Sequence, residues 1–222
     1  MPTQIANLRT AAPAVISTNK LIRNTYLLLS LTLLFSAVTA SLSVMLRMPP
    51  MTYLVCVGIA IALMWLVLPR TANSASGLGV VFAITGLLGF ALGPMLSMYL
   101  KLPNGPQLVG TALGGTGIIF LGLSAYALTT RRDFNFMGGF LFVGMLVVLG
   151  ASLANIFFAM PALSLAVSAV VVMLMSGFIL FDTSRMVNGG MDNYILATIS
   201  LYMNIFNLFI SLLQLLGIMR DE

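Results

Sequence analysis

The sequence predicts an all-α membrane protein, a polytopic bundle of seven transmembrane helices. Three observations carry this. Between about Thr25 and Gly217 the chain is a near-continuous series of apolar segments. Each is long enough to cross a bilayer, which takes roughly 20 apolar residues at about 1.5 Å rise per residue. Hydrophobic residues make up 60% of the 222 positions and charged residues 7%, where a soluble domain carries about 25% charged residues. Apart from Asp182 and Arg185, the few charges fall between or outside the apolar segments, with no polar stretch long enough for a separate soluble domain.

Residues 1–24 read as a cytoplasmic N-terminal tail. They mix polar and apolar residues and lack the short apolar core of a cleavable signal peptide. Their Ser, Thr, Ala, Pro and Asn content predicts a flexible segment. Span one runs from Thr25 to Leu46 and stops at Arg47, Pro49 and Pro50. Span two runs from Met51 to Leu68, closed by Pro69 and Arg70. After the polar stretch Thr71 to Ser76, span three covers Gly77 to Leu100, with Pro94 predicted to kink it. Lys101 to Pro106 is a turn, and span four runs from Gln107 to Leu128. Arg131, Arg132 and Asp133 make the most charged loop before span five, Met137 to Phe158. Pro161 opens span six at a position that tolerates a missing N–H. Gly189 and Gly190 stop it. Span seven is Ile195 to Gly217. The seven-helix domain is thus 25–217, and 218–222 is a short C-terminus.

Basic residues are enriched on the cytoplasmic side of membrane proteins. With the N-terminus inside, Arg9, Lys20, Arg23, Arg70, Arg131, Arg132 and Arg185 are cytoplasmic, and only Arg47, Lys101 and Arg220 are outside. The expected topology is N-terminus cytoplasmic and C-terminus periplasmic. The net charge of +5 forms no basic face, so nucleic acid is not an expected partner. There is no His and Cys56 is the sole cysteine, so no cofactor, zinc site or disulfide within one chain is expected. Without a His base, a paired acid or a phosphate loop, the sequence does not read as an enzyme.

Small residues recur at helix-contact spacing: Gly79, Ala83, Gly86, Gly89 and Gly93 in span three, and Gly110, Gly114 and Gly117 in span four. Close backbone approach substitutes for the hydrophobic drive that hydrocarbon cannot supply. Both sets are expected at the tight centre of the bundle.

Ser200, Asn204, Asn207, Ser211 and Gln214 recur at steps of four and three, so they share one face of span seven. Polar groups facing lipid are costly, so that face should meet protein or a wet cavity. It is open whether the stripe is interhelical glue, lines a conduction or sensing path, or mediates self-association. Asp182 is the only acid near the hydrocarbon, and Arg185 three residues on is within reach of it. This pair is either an interfacial anchor or an ion or proton site.

Several segments resemble one family. Gly177-Phe-Ile-Leu-Phe-Asp182-Thr-Ser, Asn193-Tyr194 and Ser200-Leu-Tyr-Met-Asn204-Ile-Phe-Asn207-Leu-Phe209 are similar to the C-terminal signature of the Bax-inhibitor family. Arg23-Asn-Thr-Tyr, Leu92-Gly-Pro-Met-Leu, Leu113-Gly-Gly-Thr, Ser124-Ala-Tyr-Ala-Leu-Thr-Thr-Arg, Ala154-Asn-Ile-Phe and Pro161-Ala-Leu resemble its bacterial YccA branch. The resemblance implies seven helices with the last one central. It also implies an inner-membrane partner and substrate of the FtsH protease that modulates degradation of membrane proteins, as adaptor or slow competing substrate. The wider family implies an alternative, a pH-sensitive calcium leak gated by two aspartates that share protons. Here Asp182 matches the first aspartate, Asn204 stands at the second, and Met51 to Leu68 contains no counterpart of the family's gating arginine.

Overall fold

The computed structural model describes the backbone of residues 3–218 and the side chains from Thr18 onward. Seven long helices account for it: α1 (Thr3–Met45), α2 (Met51–Thr71), α3 (Ser76–Leu100), α4 (Gly105–Thr130), α5 (Met137–Phe158), α6 (Pro161–Val187) and α7 (Tyr194–Ile218). All seven are long and apolar enough to cross a membrane, the crossing part of α1 being Thr18–Met45. The protein is a multi-pass membrane bundle.

Helix ends follow local chemistry. Met160 is extended before Pro161, the conformation that a following proline favours, and Pro161 opens α6. At the other end Gly189 adopts φ +76, and the Gly190 N–H bonds the Arg185 carbonyl at 2.8 Å. This six-to-one closure is the Schellman stop that the glycine pair predicts.

Two boundaries differ from the expected ones. α1 is helical from Thr3. Loss of apolar character marks where a span leaves hydrocarbon, not where its helix begins, and Ala6, Ala11, Ala12 and Ala14 favour helix without being strongly hydrophobic. The flexibility expected of 1–24 falls mostly on side chains outside the described residues, as do 219–222. α2 continues through Pro69 to Thr71 by way of a π-helical stretch, Leu63–Val67, which ends with the Leu68 N–H bonded to the Leu63 carbonyl. A wider turn ahead of a proline relieves the clash of its ring with the preceding turn.

α7 is the hub. It packs against α1, α3, α4 and α6, and 67% of its most apolar stretch is buried inside the protein. α3 is next at 56%, whereas α2 and α5 lie at the rim at 17% and 11%. The central last helix implied by the resemblance is therefore present.

The α1–α3 seam uses the span-three glycines. A methyl group on Gly86 would strike the Phe35 ring, one on Gly89 would strike Ser36 and Thr39, and one on Gly93 would strike Ser43. The span-four expectation is corrected: Gly110, Gly114 and Gly117 have nothing within 4 Å of an added methyl and lie on the outer face of α4. Spacing marks which residues share a face, but not which way that face turns. Gly79 and Ala83 of span three also face outward.

Candidate functional site

α6 and α7 are antiparallel neighbours joined by a short turn, so the last turns of α6 lie beside the first turns of α7. This brings Asp182 to Ser200 and Asn204. Asp182 is 4% exposed. Its Oδ2 accepts the Ser200 hydroxyl at 2.6 Å and the Asn204 Nδ2–H at 2.8 Å. Ser200 and Asn204 are four residues apart, one turn of α7, so both donors reach the same oxygen from one side.

The rest of the polar stripe also turns inward; none of its five residues is exposed. The Ser168 hydroxyl of α6 donates to Gln214 Oε1 at 3.2 Å. Asn207 bonds its own helix, through Nδ2–H to the Met203 carbonyl at 2.8 Å. Ser211 is buried. The stripe thus meets α6 at both ends, through Asp182 and through Ser168.

Arg185 departs from the expected pairing. Its guanidinium donates to the Gly190 carbonyl at 2.9 Å and stands over the Phe181 ring, 5.5 Å from its centroid. Among the described residues no ion pair joins Arg185 to Asp182. Residues three apart are neighbours on a helix only if both side chains lean together; here Asp182 points to α7 and Arg185 follows the turn that ends α6.

Hydrogen bonds around this site lash the loops of one end together. The Ser184 hydroxyl donates to the Arg132 carbonyl at 2.9 Å and accepts the Phe134 N–H at 3.0 Å. Asn193 accepts the N–H groups of Ile195 and Leu196 at 2.8 and 3.1 Å, capping α7. Its Nδ2–H atoms donate to the Ala72 carbonyl at 3.0 Å and to Asn73 Oδ1 at 2.7 Å. One asparagine therefore starts the central helix and ties it to the α2–α3 turn. Sequence reading noted Asn193 only as part of a family signature; an asparagine just before a long apolar run is itself a cap signal.

Tyr202 was missed as well. It is 1% exposed, shares a hydrogen bond with Ser36 at 2.6 Å and donates to the Thr85 carbonyl at 3.2 Å. It joins α7 to α1 and α3. A tyrosine in an apolar run gives little warning of this, because its ring reads as one more hydrophobic residue.

Among the described residues no group of three His, Cys, Asp or Glu could hold a metal ion. The site offers one buried carboxyl with two neutral donors. An amide cannot ionise, so Asp182 and Asn204 are not two acids sharing protons.

The family model described as Inhibitor of apoptosis-promoting Bax1 matches residues 18–221. The chain belongs to the Bax-inhibitor family. Among curated members, the chain is 50% identical over 205 residues to the Escherichia coli K12 protein named Modulator of FtsH protease YccA, covering 92% of each chain. It is equally similar to a protein of Escherichia coli O6:H1 named Inner membrane protein YccA. A Vibrio cholerae protein named only as an uncharacterized membrane protein is 51% identical over 207 residues, 93% of each chain. Each of these similarities extends over more than nine-tenths of this chain.

Proposed function

We propose that this protein resides in a bacterial inner membrane, N-terminus cytoplasmic and C-terminus periplasmic, and binds and modulates an FtsH-type membrane protease as an adaptor or slow competing substrate. The observation that carries this reading is 50% identity, over 92% of both chains, to a protein named as a modulator of that protease. The fold supplies a compatible physical logic. A processive protease grips an accessible end, and residues 2–17 precede the crossing part of α1. Behind them the bundle resists extraction: α7 is buried against four helices and lashed to α6 by Asp182, Ser200 and Asn204. A chain that is easy to seize and slow to pull out would occupy the protease.

Copurification of the tagged protein with FtsH from native membranes tests the association, and its absence after gentle solubilisation would remove the reading. Deleting residues 2–19 is expected to lengthen the protein's lifetime in cells containing FtsH; an unaltered lifetime would count against gripping at that end.

The calcium-leak alternative is the weaker one. With Asn204 at the second position the site has one ionisable member. Flux of calcium into liposomes from pH 6 to 8, compared between wild type and Asp182→Asn, would decide it.

A further inference from the structure

A groove of about 470 Å³ runs up the half of the bundle opposite the Asp182 site. α1 and α3 form one flank and α4 the other, and Tyr202, Ile205 and Phe209 of α7 make the floor. The backbones of α1 and α4 do not approach closely, meeting through the Tyr26 and Phe120 rings at 6.0 Å, so from Leu33 outward the groove opens sideways between them, toward hydrocarbon. Its walls are mostly aliphatic and aromatic, and the hydroxyls of Ser41 and Thr116 bond carbonyls of their own helices at 2.8 and 2.7 Å. The two hydroxyls at its base, Ser36 and Tyr202, already satisfy each other, and Tyr202 also bonds Thr85. Nothing at the base asks a ligand for a polar group.

Size selects the occupant. On α1 the groove spans Leu33 to Met45, about 18 Å of helix. A groove of that length, open along one side, suits one extended acyl chain. Charge completes the picture. The groove ends at Met45 and Leu100, and the residues that follow on these parallel helices include Arg47 and Lys101, both exposed. The acids among the described residues, Asp133, Asp182 and Asp192, all lie at the other end of the bundle.

We propose that this groove is a phospholipid site, with one acyl chain lying along Ala37, Leu92 and Leu113 and the lipid phosphate held between Arg47 and Lys101. An acyl chain fills the space that no side chain occupies, and the two cations fix the headgroup at the rim. Such a lipid would fill the gap between α1 and α4, whose rings Tyr26 and Phe120 meet at 6.0 Å below the groove.

Native mass spectrometry of the whole protein in mild detergent tests this, with phosphatidylglycerol, diacylglycerol or inorganic phosphate added. Wild type is expected to retain one phosphatidylglycerol. Ala37→Phe and Leu113→Phe each fill the groove from an exposed position on opposite walls, so loss of folding in one leaves the other as the test; each should cut retention at least fivefold. Arg47→Ala with Lys101→Ala should cut phosphatidylglycerol retention about threefold and leave diacylglycerol unchanged. Inorganic phosphate alone should not bind. Wild type that holds no phospholipid, or equal retention in a folded groove-filled variant, overturns the proposal. So does a dimer of the chain that either phenylalanine abolishes, since the groove would then be an interface between copies.

Discussion

Asn204 on α7 donates its side-chain N–H to Oδ2 of Asp182 on α6 at 2.8 Å, inside the bundle. With Ser200 on the same oxygen, the only acid among the described parts of the helices is satisfied by neutral partners one turn apart. This contact joins the central helix to its nearest neighbour in sequence, and it sets the first two predictions.

Removing one donor leaves Asp182 half-satisfied. Asn204→Ala should lower stability by about 0.5–2 kcal/mol, the range of hydrogen bonds between membrane helices, read as a lower thermal midpoint in detergent. Ser200→Ala should act in the same direction. A double variant no worse than either single one would mean that Asp182 finds other partners.

Asn204→Asp creates the pair of acids that this chain lacks. A pair holding one proton is joined by a hydrogen bond, whereas a doubly ionised pair repels. In the unfolded chain the two carboxyls are apart and lose protons freely, so the folded state holds more protons. Stability then falls as pH rises. The variant's midpoint should drop between pH 5 and 8 relative to wild type measured alongside; parallel curves would contradict the geometry.

Glycine substitutions should divide by helix. Gly93→Ala drives a methyl into Ser43 at the α1–α3 seam and should cost about 1–3 kcal/mol. Gly114→Ala meets open space and should leave stability equal or raise it by up to about 1 kcal/mol. Equal losses at both sites would mean that α4's outer face is covered.

Tyr202→Phe deletes one hydroxyl and leaves Ser36 and the Thr85 carbonyl without it. A loss of about 1–3 kcal/mol is expected for buried groups left unpaired. A cycle with Ser36→Ala should show coupling, and strict additivity of the two losses would argue against the shared bond.

Asn193→Ala removes both the cap of α7 and the tie to Ala72 and Asn73. Loss of a cap costs about 0.5–2 kcal/mol. Faster hydrogen exchange should appear at the start of α7 and also in the α2–α3 turn; acceleration confined to α7 would show that the tie contributes nothing.

The seven spans were legible in the sequence because hydrocarbon imposes a length and a polarity on any segment that crosses it. The start at Pro161 and the stop at Gly189 were legible too, because they are local events in a few backbone bonds. So was the inward face of the Ser200-to-Gln214 stripe, since a 3.6-residue period is a property of one helix. Tertiary structure alone decided which partners those faces meet. Arg185 could reach Asp182 by spacing, yet the packing of α7 delivered Ser200 and Asn204 instead. Glycines at steps of three and four line a tight seam in α3 and an open face in α4. A sequence pattern fixes positions around one helix axis, but the rotation of that axis toward its neighbours depends on every other helix in the bundle.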